Sequence, residues 1–431
     1  MVELHDAPLS VVADDLRTGR VDVSAYVDEL RTRANEVEPD VSSLVSEDRR
    51  WDRLREAAER LVERYPEPAD RPPLFGVPIG VKDIFHVDGM STRAGSDLPP
   101  EALAGEQGTA VTRLRAAGAL VLGKTVTTEF AYFEPGPTRN PHDLDHTPGG
   151  SSSGSAAAVA AGLTPFAFGS QTVGSVIRPA AFCGVVGVKP SHGRIPTDGV
   201  IPLSTSVDHV GYFTQDTDGA ALAAALLCDD WRPLPAPVDR PTLGVPEGPY
   251  LAQASDLARE AFESHVERLS TAGYEVRRVD AFAHIDAVNE RHDRLVAADA
   301  ALAHHEWFEA YGDRYAPETR ALIEDGMDVT ASEIAAARRG RETLRERLHG
   351  AMDDRGVDVW VAPAAPGPAP EGISSTGDPV MNLPWTHAGL PTVALPAGET
   401  DDGLPLGVQC AARFGDDEDL LRWSHGLVDA L

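Results

Sequence analysis

The chain has 431 residues, 42% of them hydrophobic, enough for a large buried core in one big domain or two. Its 68 acidic residues against 38 basic ones give a formal charge of −30, which argues weakly against nucleic acid and anionic membranes as partners. Only three basic residues are lysines (Lys82, Lys124 and Lys189), and this scarcity beside such acidity points to a protein adapted to molar salt, where self-repulsion is screened.

Residues 1–65 read as N-terminal helices: VDVSAYVDELRTRAN and WDRLREAAERLVERY carry apolar residues at helical spacing. The opening MVELHDAPLS has no basic stretch followed by an apolar one, so no signal peptide is expected, and no apolar run reaches the roughly 18 residues of a membrane span. Pro66 to Pro73 is a break, and residues 66–235 form the next region. In it FGVPIGVKDIF reads as extended, Gly108 to Ala117 as a helix and ALVLG as a strand, an order that suggests a parallel or mixed sheet. Residues 134–155 are loop, GSAAAVAAGL is a short helix and TPFAFGS a buried strand. The Gly-rich stretch 169–199 ends in the strand GVVGVK, and a helix near Asp218 to Leu227 runs into the linker DDWRPLPAPVDRP. Residues 236–355 form a helical region entered by the strand TLGVPE and a helix from Ser255 to Gly273. Residues 356–431 return to strands in VDVWVAP, TVALPAG and LGVQC. Late strands need a sheet to join, so the fold class is α/β: one domain with a central mixed sheet surrounded by helices. Cys183, Cys228 and Cys410 show no CxxC spacing and read as reduced thiols of a cytoplasmic protein.

The densest unusual segment is TPGGSSSGSAAAVAAG, followed by FGSQTVGSVIRPAAFCG. So many Ser and Gly beside apolar strands are costly as core, but suit a backbone that approaches a ligand closely and presents N–H groups. Gly150 to Gly154 match G-x-S-x-G, but a nucleophile elbow needs a hydrophobic strand before it, and NPHDLDHTP is loop. No lysine has a serine three residues earlier, and Gly123-Lys124-Thr125 is not taken as a phosphate loop. Lys82, in an apolar run, is either a snorkelling surface residue or a desolvated one whose lowered pKa would make it a base. Arginine cannot do that work, which favours chemistry at Lys82 in a chain nearly purged of lysine. Lys124 and Lys189, in loop-like settings, default to structural roles.

GVPIGVKDIF, GKTVTTEFA, TRNPHDLDHTPGGSSSGSAAAVAAG, GSQTVGSVIRPAAFCGVVGVKPSHGRI and NLPWTHAGLPTVALPAG together resemble the amidase signature family of Ser–Ser–Lys hydrolases across nearly the whole chain. The resemblance implies Lys82 as proton acceptor, Ser151 as a relay on an unusual cis peptide, and Ser175 as nucleophile. Backbone N–H groups of Thr172, Val173, Gly174 and Ser175 would form the oxyanion hole. The sequence departs from the commonest pattern at Gln171 and Val173. The VGSVIRPA segment is similar to malonamidase-like members, in which Arg178 would read a substrate carboxylate; a structural ion pair is the alternative. Gly150, Ser152, Thr128 and Tyr132 are expected around the substrate, with Phe130, Asn140 and Trp385 as further lining candidates and core packing the alternative for the aromatics. Ser152 and Ser153 would hold the cis turn, Ser155 would cap the next helix, Cys183 would be a buried apolar filler and Asp208 structural.

These expectations describe an amidase acting on a small-molecule amide, without metal or cofactor, with a homodimer left open. Three rivals stand beside it: the glutaminase-type component of an aminoacyl-tRNA amidotransferase complex, an inactive binding protein on the same scaffold, and an α/β-hydrolase esterase using Ser152.

Overall fold

A computed structural model describes residues 4–233 and 240–431. The middle of the expected linker and the 235/236 regional boundary therefore lie outside the described residues. Ten strands form one sheet: β1 Pro78–Lys82, β2 Leu120–Thr125, β3 Phe166–Gln171, β4 Val186–Lys189, β5 His209–Thr214, β6 Leu243–Pro246, β7 Val276–Val279, β8 Val359–Pro363, β9 Thr392–Glu399 and β10 Pro405–Ala411. Their order is β2-β1-β3-β5-β4-β9-β10-β8-β6-β7. β1 is parallel to β2 and β3, and β6 to β7 and β8, whereas β5, β4, β9 and β10 join these blocks through antiparallel pairs. The sheet is mixed, as expected. β1, β3, β5 and β4 are buried at every position, the pattern of a sheet covered on both faces.

The N-terminal helices Leu9–Thr18, Val23–Val41 and Arg50–Arg64 bury Leu9, Leu16, Tyr26, Leu30 and Leu54 against one side. The helices Ile285–Ala303, Pro317–Met327 and Ala331–Arg355 realise the helical region. A second apolar cluster, around Tyr250, Trp360 and Trp385, packs against Val173. Ser255 caps the helix Asp256–Thr271 by accepting from the Ala258 N–H at 3.2 Å.

Three elements depart from expectation. β5 and β7 were not expected as strands, and a short helix, Ile177–Phe182, interrupts the Gly-rich stretch. Ser155 is no cap: it lies inside the helix Ser153–Ala160, sharing a hydrogen bond with Thr125 and donating to the Phe168 carbonyl. Lys124 and Lys189 are not in loops but in β2 and β4, and all three lysines are buried.

Candidate active site

The site sits at the C-terminal edge of β1 and β3. These parallel neighbours end at Lys82 and Gln171, and β5, antiparallel to β3, begins there with His209 opposite Gln171. Lys82 is fully buried, with Nζ 2.7 Å from Ser151 Oγ, 2.8 Å from Ser170 Oγ and 3.0 Å from Ser152 Oγ. No carboxylate pairs with it among the described residues. Burial drives its pKa well below the ordinary lysine value, opposed only by the more distant charge of Asp208. A neutral amine carries two N–H donors and a lone pair, so three hydroxyls complete its hydrogen bonding and one can donate to it. Asp208 is itself raised to about 6 by burial, although it accepts from the Thr172 hydroxyl at 2.6 Å and from the Leu203 and Ser204 N–H groups. It orients the turn after β3, in keeping with a structural role.

The Gly150–Ser151 peptide is cis. The Ser151 carbonyl accepts from the Thr128 N–H, and the Gly150 carbonyl from Arg178 Nη2 at 2.7 Å. Ser152 Oγ donates to the Ser170 carbonyl and accepts from its N–H, whereas Ser153 makes only a 3.5 Å contact with the Val126 carbonyl. The residues before Ser152 form no strand, so its G-x-S-x-G pattern lacks the elbow geometry.

Ser175 lies in the turn between β3 and the helix Ile177–Phe182. Gln171 shapes that turn: its Oε1 accepts from the Val176 and Ile177 N–H groups at 2.8 and 3.0 Å, and its Nε2 donates to Thr386 Oγ1 at 2.9 Å. The Thr386 hydroxyl in turn donates to the Val173 carbonyl. The N–H groups of Thr172, Val173, Gly174 and Ser175 find no protein acceptor among the described residues. Successive N–H groups without a protein acceptor are able to receive an anion. Gly174 is required there: a Cβ would come within 2.4 Å of Asn382 Oδ1.

Arg178 is buried and has no carboxylate partner in an ion pair among the described residues. It donates to the Gly150 and Gly377 carbonyls and the Thr376 hydroxyl, and only Nε is left without a partner. The ion-pair alternative is therefore not what holds it. Thr128 and Asn140 are buried and turn inward, Thr128 donating to the Tyr132 carbonyl and Asn140 to the Thr147 and Phe182 carbonyls. Phe130 and Trp385 are core, and buried Cys183 donates weakly to the Pro148 carbonyl. Tyr132 lines a cavity of about 1100 Å³ with Val173, Thr376 and Gly377.

Sequence reasoning missed Ser170; its signal was position, next to the end of a strand whose parallel neighbour ends in Lys82. The stretch Gly118 to Thr125 does fit G-x-x-x-x-G-K-T, which corrects the expectation from sequence, but its Gly123-Lys124-Thr125 end is buried strand, and Lys124 pairs with Asp83 at 2.6 Å. His142 and His146 stand four apart, yet they bond the Cys183 carbonyl and Asp143 respectively. No group of three metal-binding side chains occurs among the described residues.

The fold is one α/β domain, and its candidate site gathers buried serines around a single lysine. Residues 25–421 match the Amidase family model, and the chain belongs to the amidase signature family: it is a hydrolase acting on amide C–N bonds. A crystal structure described as an amidase superposes with a TM-score of 0.89 at 35% identity, covering 98% of this chain and 99% of that one. Among curated relatives, the A-type component of the glutamyl-tRNA(Gln) amidotransferase of Thermus thermophilus is 34% identical over 86% of this chain and 88% of its own. A peptide amidase in complex with chymostatin aligns with a TM-score of 0.83 at 25% identity, over 98% and 97% of the two chains.

Proposed function

We propose that this chain hydrolyses a small carboxylic amide to the carboxylate and ammonia or an amine through an acyl-Ser175 intermediate. Neutral Lys82 takes a proton from Ser151, which takes one from Ser175 as Ser175 attacks the carbonyl. The N–H groups of Thr172 to Ser175 receive the oxyanion, Ser151 returns a proton to the leaving nitrogen, and water frees the acid. The single observation that carries this reading is a buried lysine facing only hydroxyls beside four unpaired N–H groups. Gly150 and Ser152 hold the relay in place, and Arg178 acts on it through the Gly150 carbonyl. The helices within 236–355, with the loop around Thr376, form the wall of the substrate cavity. No helix among the described residues is long and apolar enough to cross a membrane, and a salt-rich cytoplasm suits the composition.

A second reading, one component of a transfer-RNA amidotransferase complex, has its support in curated relatives of that description that are 31% and 34% identical. One experiment separates the two. The chain purified alone in molar salt is assayed for ammonia release from neutral amides, malonamate and glutamine. Turnover without a partner that is lost in Ser175→Ala and Lys82→Ala but only reduced in Ser152→Ala supports the amidase. Activity that appears only with partner chains supports the amidotransferase, and loss through Ser152 alone overturns the mechanism. Full stability of the chain without added salt would overturn the salt adaptation.

A further inference from the structure

The N–H groups of the turn before Ser175 point where their peptide planes point. Gly150–Ser151 is the only cis peptide among the described residues, so the peptides of this turn are trans, each with its N–H and its carbonyl on opposite sides. Whatever holds a carbonyl of the turn therefore aims the N–H that follows it. The Gly174 carbonyl accepts from the Arg178 N–H at 3.0 Å, which aims the Ser175 N–H. The Val173 carbonyl has no such backbone donor: the N–H groups three and four residues on, of Val176 and Ile177, are both taken by Gln171 Oε1. Its donor is the Thr386 hydroxyl at 2.7 Å, which aims the Gly174 N–H.

The direction of that bond follows from counting protons. Gln171 Oε1 accepts from two N–H groups, so the amide nitrogen is the end that meets Thr386 Oγ1, at 2.9 Å. Thr386 Oγ1 accepts there and has one proton left to give. It faces two carbonyls, that of Val173 at 2.7 Å and that of Asn382 in its own helix at 3.2 Å, and the shorter contact is the one to the turn. The helix Leu383–Ala388 that carries Thr386 is tied at both ends. Asn382 Nδ2 donates to the Ala364 carbonyl and to Gln409 Oε1 at its start, and Arg341 Nε and Arg345 Nε donate to the His387 and Ala388 carbonyls at its finish. Thr386 is fully buried and is not in the wall of the substrate cavity, whereas Val173 is, so any effect of Thr386 on the reaction passes through the Val173 carbonyl.

We infer that Thr386 is a positioning residue of the reaction: its hydroxyl, oriented by Gln171, turns the Val173–Gly174 peptide so that the Gly174 N–H faces the oxyanion. The inference rests on the acyl-transfer reading above. The charge that this N–H receives develops only as Ser175 adds to the carbonyl, so loss of aim appears in kcat and not in KM.

Thr386→Val keeps the shape of the side chain and removes the hydroxyl. With valeramide as substrate, kcat should fall about 10- to 100-fold, a part of what a lost oxyanion donor costs, with KM changed by less than about threefold. Butylboronic acid replaces the same acyl group: Ser175 Oγ adds to boron, its proton passes to the Ser151–Lys82 relay, and the tetrahedral adduct is an anion. Its affinity should fall by a factor similar to that in kcat. Thr386→Ser keeps the hydroxyl and should restore most of both, and Thr386→Cys, with its weak S–H donor, should fall between Ser and Val. A thermal melt beside each variant establishes that it is folded, and if Thr386→Val does not fold, the Cys variant carries the same comparison. A folded Thr386→Val with kcat within about twofold of wild type, a loss of kcat that leaves boronate affinity unchanged, or a Ser variant as impaired as Val overturns the inference while leaving amide hydrolysis intact. No wild-type turnover of valeramide, malonamate or glutamine overturns the hydrolysis reading instead; the boronate affinity of wild type against Thr386→Val then still decides whether Thr386 aims the turn.

Discussion

Lys82 and Lys124 stand on neighbouring strands, almost side by side: Lys82 is in register with Thr125, and Lys124 with Val81. Alternation along the strands sends their ammonium ends to opposite faces of the sheet. Both are buried, yet their partners differ. Lys124 meets Asp83 at 2.6 Å and the Thr92 hydroxyl at 3.1 Å, whereas Lys82 meets three serine hydroxyls. Burial lowers both pKa values, but only at Lys124 does an adjacent carboxylate pull the other way. Lys189 completes the comparison: burial lowers it to about 7, but its neighbours are the Pro190 and Leu390 carbonyls, which can only accept. Burial alone therefore does not make a lysine a base; it also needs a partner that can hand over a proton and no carboxylate to keep it charged.

The largest expected effect breaks the serine side of the comparison. Ser175→Ala should lower kcat/KM by about four to six orders of magnitude with the fold kept, because no other group can carry the acyl chain. Lys82→Ala should cost about two to four orders, the usual share of a general base. Steady-state kinetics beside a thermal melt check both. If Lys82→Ala retains near-normal turnover, the hydroxyl cluster is structural and the contrast with Lys124 has no chemical meaning. Lys124→Ala should do the reverse: it strands the Asp83 carboxylate in the core, which costs about 3–5 kcal/mol in denaturant unfolding, and activity per folded molecule should survive. Equal losses of activity in the two lysine variants would collapse the distinction.

The α/β class with its mixed sheet was legible in sequence, and the candidate site stood out by motif, but individual strands and the partners of two lysines did not. Lys82, Ser151 and Ser175 lie in dense, unusual motifs, and chemistry that needs small residues at fixed spacing leaves such traces. The partners of the other two lysines left none: Asp83 lies 41 residues before Lys124, and only the register of β1 with β2 brings them together. β7 was hidden because its four residues, VRRV, hold two arginines and a single buried position, as suits a short charged sheet edge. β5 was hidden because HVGYFT is buried at every position and shows no alternation, although both its neighbours pair with it. The helix Ile177–Phe182 has no helical periodicity and contains Pro179; it exists because Gln171 accepts the N–H groups at its start.

Gln171 gives a smaller, sharper test. It stands where the commonest family pattern has an aspartate, and its amide does two jobs that a carboxylate could not combine: accepting two N–H groups and donating to Thr386. Gln171→Leu should cost about 1–3 kcal/mol from the buried N–H groups left unpaired. As a positioning residue it should lower kcat more than it raises KM, and Gln171→Glu, which keeps the acceptor, should recover part of kcat. If Gln171→Leu loses stability but keeps kcat, the turn around Ser175 is held without it, through the Thr386 hydroxyl on the Val173 carbonyl.

The subtlest effect is in the pH dependence of stability. Lys82 is depressed by burial in the folded chain and returns to the ordinary lysine value on unfolding. Below its folded pKa both states hold the proton, so the penalty for burying a charged amine is complete and stability is independent of pH through this group. Between the folded and unfolded values only the unfolded chain holds the proton, so stability rises with pH; above the unfolded value the curve is flat again. The rise is about 1.4 kcal/mol per pH unit for one proton. Lys82→Met removes that proton, so the stability curve of wild type minus variant should climb with pH across this window. Turnover should climb along the lower part of the same interval, because the neutral amine that stabilises the fold is also the one that accepts the proton. Lys124→Met should give a shallower climb, since Asp83 holds its proton in the folded state. If the two difference curves superpose, the environments of the two lysines are equivalent in solution, and hydroxyl partners do not set Lys82 apart.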